Sequence, residues 1–122
     1  YEIHERLVGS EMCIRDRINA MAHITGGGLT ENIPRVIPNE FKAVISKNSW
    51  KIPNLFNWIK SEASLGDEEL FKTFNCGIGM VIIVKKESKE SVMISLRNSK
   101  ENVFEIGKIT KKVLDEPQIQ II

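Results

Sequence analysis

The chain has 122 residues, 42% of them hydrophobic, which is material for one domain with a core of its own. A net charge of +1 supplies no broad field for nucleic acid or an anionic membrane. No run reaches the roughly 20 apolar residues of a spanning helix, and the start lacks a secretory apolar region. Cys13 and Cys76 form neither a metal-ligand spacing nor a disulfide framework. A soluble cytoplasmic protein is the expectation.

Residues 1–17, YEIHERLVGSEMCIRDR, sustain neither a strand nor a helix period. Within them, residues 8–17 resemble the translated product of a sequencing adapter. The segment is therefore set aside from fold reasoning as non-native. A genuine N-terminal arm is the competing reading, and only on that reading do His4 and Cys13 carry biological meaning.

Residues 18–24 alternate: Ile18, Ala20, Ala22 and Ile24 face one way, Asn19, Met21 and His23 the other, which predicts a strand. His23 is either a satisfied histidine beneath a covering helix or a group at the strand's end near a ligand. The strand runs into Gly26-Gly27-Gly28, a run costly in backbone entropy that a chain tolerates where a side chain would block a turn or a ligand. A short helix is predicted over residues 29–36, with Thr30 as its cap and Pro34 in its first turn. Strand, glycine turn and helix N-terminus together form a physical recipe for holding an anion, because free N–H groups and the helix dipole point the same way. Thr25, Glu31, Asn32 and Arg35 converge there, and a guanidinium forks well onto phosphate or carboxylate. A plain tight connection is the competing reading.

Pro38 and Asn39 mark a break, and residues 41–46 form a second predicted strand. Pro53 starts a helix through about residue 63, with Leu55, Phe56 and Ile59 as its apolar stripe. Trp50 and Trp58 read as core or interdomain packing, since no cationic cluster interleaves them. Asp67 is the predicted N-cap of the next helix, which buries Leu70, Phe71 and Phe74. The turn at Asn75-Cys76-Gly77 leads into residues 78–84, apolar enough for a strand covered on both faces. Asn75 either bonds a ligand or fixes that turn; Gly77 and Gly79 allow close backbone approach. Cys76, with no base beside it in sequence, reads as a buried inert thiol. Residues 87–98 form an amphipathic helix capped by Ser88, residues 103–109 a strand with a bulge at Gly107, and residues 119–122 an apolar tail suited to a sheet edge. Helices and strands mix without regular alternation, which predicts an α+β layered domain with helices packed on a mixed β-sheet.

Three blocks carry a family resemblance. They are His23-Ile24-Thr25-Gly26-Gly27-Gly28 with Glu31-Asn32-Ile33-Pro34-Arg35; Ser49-Trp50 with Pro53, Phe56 and Trp58; and Thr73-Phe74-Asn75-Cys76-Gly77-Ile78-Gly79-Met80. In order and spacing they resemble the C-terminal domain of the phosphoribosylformylglycinamidine cyclo-ligases (aminoimidazole ribonucleotide synthetases) over about residues 18–110. Selenophosphate synthetase and the formylglycinamide ribonucleotide amidotransferase share the architecture but match these motifs less well.

The resemblance implies a chain that is one part of a longer enzyme, lacking an N-terminal ATP-binding domain, with the active site between the two. The implied reaction is ATP-dependent ring closure of formylglycinamidine ribonucleotide to aminoimidazole ribonucleotide, in purine biosynthesis. ATP and Mg2+ are held mostly by the missing half, the full-length protein is a homodimer, and this part alone is inactive. On this reading Gly26, Gly27 and Gly28 hold a phosphate through their amides, helped by Thr25 and Arg35. His23, Glu31 and Asn32 orient substrate or the loop, and Asn75 with Gly77 forms the adjoining wall. No residue is assigned to catalysis or to a metal. The alternatives are a non-catalytic domain that binds a phosphorylated metabolite or a partner through the same loop, and a related ATP-using enzyme.

Overall fold

A computed structural model describes residues 18–122, so the expectations for residues 1–17 lie outside the described residues. The strands form two sheets. In the first, β1 (Ile18–His23) pairs antiparallel with β3 (Met80–Val84). In the second, β2 (Phe41–Ile45) lies between an antiparallel β4 (Gly107–Lys111) and a parallel β5 (Ile119–Ile121), so this sheet is mixed. Among the described residues four α-helices accompany them: α1 (Gly28–Asn32), α2 (Asn54–Glu62), α3 (Asp67–Thr73) and α4 (Lys89–Asn98). The architecture is α+β, and the apolar tail does pair, along β2.

Alternation sets the layers. Ala22 and Val81 face a larger core with Ile24, Leu29, Ile33, Ala43, Ile45, Leu70, Phe71 and Ile78. Ile82, next along β3, faces a smaller core built by Val92, Met93 and Leu96 of α4 together with Val103. Strand β3 is thus covered on both faces, as its near-continuous apolar run requires.

Several elements depart from the sequence expectations. The helix expected over residues 29–36 is two pieces: α1 and a 3-10 turn at Pro34–Val36. Proline has no N–H to return to the carbonyl of Thr30, so the α-helical ladder stops there. Helix α1 starts at Gly28 with Gly27 as its N-cap, which leaves Thr30 inside the helix rather than capping it. Gly66, not Asp67, caps α3; the Asp67 carboxylate instead receives Lys47 at 2.8 Å and also Lys60. In α2, Phe56 and Ile59 are half-buried, but Leu55 is 60% exposed. The strand expected over residues 103–109 runs from Gly107 to Lys111, because Val103 and Ile106 are used as irregular anchors in the two separate cores. Gly107 sits in regular register, and a Cβ there would lie 2.1 Å from the Val44 carbonyl oxygen, so it permits close strand approach. The bulge lies instead in β1, between Ile18 and Ala20.

Candidate functional site

The three sequence blocks meet at the turn that enters β3. His23 pairs with Met80, and the Ile24 amide donates to the Gly79 carbonyl at 3.0 Å, which sets the end of β1 beside this turn. The Trp50 indole N–H donates to the Cys76 carbonyl at 3.0 Å. Its ring meets Phe71 edge-on at 6.2 Å between centroids, and Phe56 of α2 lies 6.0 Å from Phe74. Gly77 is held in the left-handed region at φ +93°, where a side chain would strike Pro53. Each block thus supplies one wall of a common junction.

The glycine turn divides its labour. Gly27 and Gly28 both have positive φ, +100° and +59°. The Gly28 amide donates to the Thr25 carbonyl at 3.0 Å, and a Cβ on this residue would strike the carbonyls of Phe71 in α3 and of Phe74 just after it. Gly28 is therefore spent on turn closure and packing, and its amide does not face a ligand. Asn32, 5% exposed, pins the turn from beneath: its side-chain N–H groups donate to the Gly28 carbonyl at 2.8 Å and, at 3.4 Å, to those of Thr25 and Gly26. The Thr25 hydroxyl donates to the Asn32 side-chain oxygen at 3.3 Å. Of the two roles expected for Asn32, holding the loop is the one its geometry fills. The Gly26 and Gly27 amides donate to no described residue.

Around these two amides the surface is open. His23, Thr25, Gly26, Glu31 and Arg35 are all exposed. The Glu31 carboxylate folds back over Gly27, where an added Cβ would lie 2.4 Å from Oε2. A carboxylate here complements the positive end of α1, and an incoming anion has to displace it. Arg35 is the middle residue of the 3-10 turn and forms no ion pair among the described residues. The Asn75 side-chain oxygen accepts the Gly77 amide at 2.9 Å, so it fixes the turn. Cys76 is wholly buried, and that burial, with the charge of Asp67 adding to it, pushes its thiol up to about 11.

Sequence reasoning missed two features. One is the Lys47–Asp67–Lys60 cluster, whose hydrogen bonds from Lys47 and Lys60 hold the Asp67 carboxyl below its usual range. The other is a cavity of about 500 Å³ between β3 and β4, which contains none of the expected site residues. No local sequence signal reports either, because both are assembled by the packing of separate elements. Among the described residues no three His, Cys, Asp or Glu side chains converge on one point.

Comparison with known proteins adds the decisive observation: the family described as AIR synthase related protein, C-terminal domain, matches residues 4–119. The chain belongs to this family. It is similar to the phosphoribosylformylglycinamidine cyclo-ligase of Cupriavidus pinatubonensis, 45% identical over 105 residues, which are 86% of this chain and 30% of that protein. The cyclo-ligase of Citrifermentans bemidjiense is 48% identical over 99 residues, 80% of this chain and 28% of its own length. That of Chromobacterium violaceum is 45% identical over 104 residues, 85% of this chain and 30% of its own. The chain spans less than a third of these relatives.

Proposed function

We propose that this chain is the C-terminal part of an ATP-dependent cyclo-ligase that closes the imidazole ring of formylglycinamidine ribonucleotide. The carrying observation is the 45% identity to a named cyclo-ligase over 105 residues. The junction of the three motif blocks supports it: residues that resemble the family's signature are held against one another. ATP, bound by the part of the enzyme outside this chain, supplies the phosphoryl group that turns the formamide oxygen into a leaving group. This chain's contribution is anion binding at the free Gly26 and Gly27 amides, with Arg35 supplying a forked cationic donor. Asn32, Asn75 and Gly28 keep those amides in place, and Glu31 occupies the position until substrate arrives. His23 and Thr25 border the same surface, where they orient the substrate.

The test is a chimera in which residues 18–122 replace the matched region of the Cupriavidus pinatubonensis enzyme. Ring closure and phosphate release by the chimera, with neither from this chain alone, is the expected result. Arg35→Ala in the chimera is expected to lower kcat/KM about 10- to 100-fold, the value of a charge-assisted hydrogen bond, with an unchanged melting temperature. A folded chimera without turnover overturns the assignment; unchanged kcat/KM in Arg35→Ala removes Arg35 from the site.

A further inference from the structure

The cavity between the two sheets has an unusual lining. Residues 81–84 contribute four consecutive positions and residues 105–109 five. A strand lining a cavity with one face contributes alternate residues; consecutive residues mean that β3 and β4 turn their edges to the gap. The hydrogen bonds agree. Gly79 bonds toward β1 through its carbonyl, so Met80, Ile82 and Val84 carry the backbone groups that point away from β1. Ile106 bonds toward β2 and Lys112 does likewise, so Gly107, Ile109 and Lys111 carry those that point away from β2. Two strand edges whose outward donors and acceptors bond to none of the described residues face one gap, which Ile33, Ala43 and Ile45 also line.

We infer that this gap receives one extended strand, which joins the two sheets in the order β1-β3-added strand-β4-β2-β5. At a rise of about 3.3 Å, a strand spacing of about 4.8 Å and a layer of about 10 Å, one strand residue fills roughly 160 Å³. The gap of about 500 Å³ therefore holds about three residues, the length of a short central strand. The occupant is a segment of the same enzyme from ahead of the matched region. More than two thirds of each relative lies outside the match, and the matching family is a C-terminal domain. A second copy of this chain fits poorly: Lys108 lies on β4, the strand whose edge two copies would pair, and an edge lysine opposes such pairing.

The inference rests on family membership and not on the proposed activity, so its test contains no ATP or substrate. Amide hydrogen exchange is measured on the chain with and without the part of the Cupriavidus pinatubonensis cyclo-ligase that precedes the matched region. The expected result is at least tenfold slower exchange at Ile82, Val84 and Ile109, with smaller changes at Val81, Ile83 and Lys108, whose amides already face β1 or β2. Unchanged exchange at Ile82 and Ile109 overturns the inference, as does protection that follows the chain's own concentration, since that marks self-association. Ile109→Pro removes a donor that faces only the gap, which an edge strand tolerates. It is expected to abolish the added protection at Ile82 while circular dichroism stays unchanged; undiminished protection in a folded Ile109→Pro chain also overturns it.

Discussion

A methyl group at position 28 would lie 2.2 Å from the Phe71 carbonyl oxygen and 2.5 Å from that of Phe74, on a residue with φ +59°. The contacts are with backbone, which cannot swing aside. Gly28→Ala is expected to cost about 2–4 kcal/mol in urea denaturation, from overpacking and positive φ together. At Gly26 an added Cβ meets nothing within 4 Å, and Gly26→Ala is expected to change stability by no more than about 0.5 kcal/mol. The glycine run was legible as a place where the backbone must be bare. Which glycine is bare for packing and which is bare toward solvent was not legible, because the deciding neighbours belong to α3, far along the chain. The same holds for Asn32 and Asn75: sequence marked both as polar groups near the turn, and only the fold shows that both spend their hydrogen bonds on it.

Strands were the elements best read from sequence, since alternation in β1 and the apolar run in β3 are direct records of what faces them. Helix limits were read less well, and in each case a backbone group was responsible: the missing N–H of Pro34 ended α1 early, and Gly66 took the capping place expected for Asp67. The displaced Asp67 has an effect of its own. With Lys47 from the segment after β2 and Lys60 from α2, it ties three elements together. Its carboxyl is held below its ordinary value, so the folded state binds that proton less readily than the unfolded one. The linked stability is present above the ordinary carboxylate pKa and is lost as pH falls through the lower folded value. The urea midpoint is expected to fall below about pH 4 in the native chain, and less steeply in Asp67→Asn. High salt should shrink the difference, because these side chains are partly exposed.

For the whole molecule, the fold class was legible because helices and strands follow one another irregularly. The separation into two sheets was not, since pairing partners are chosen by long-range packing rather than by any local pattern. Phe71 shows how the larger core is tied to the junction. It is 1% exposed and carries the Trp50 ring on its edge. Phe71→Ala is expected to cost about 3–5 kcal/mol and to shift Trp50 fluorescence to the red. Trp58, 61% exposed, is the control: its truncation should leave the unfolding midpoint almost unchanged.

The burial of Cys76 gives the molecule a stopwatch. Its sulfur is enclosed at the place where all three motif blocks touch, and at neutral pH it is a protonated thiol that an alkylating reagent cannot reach. Labelling can then proceed only through moments when the junction parts. In a chain carrying Cys13→Ser, the labelling rate divided by that of an unhindered thiol equals the fraction of time the junction is open. If that fraction exceeds the globally unfolded fraction measured in urea, the junction breathes on its own. If the two agree, the three blocks separate only when the whole fold does.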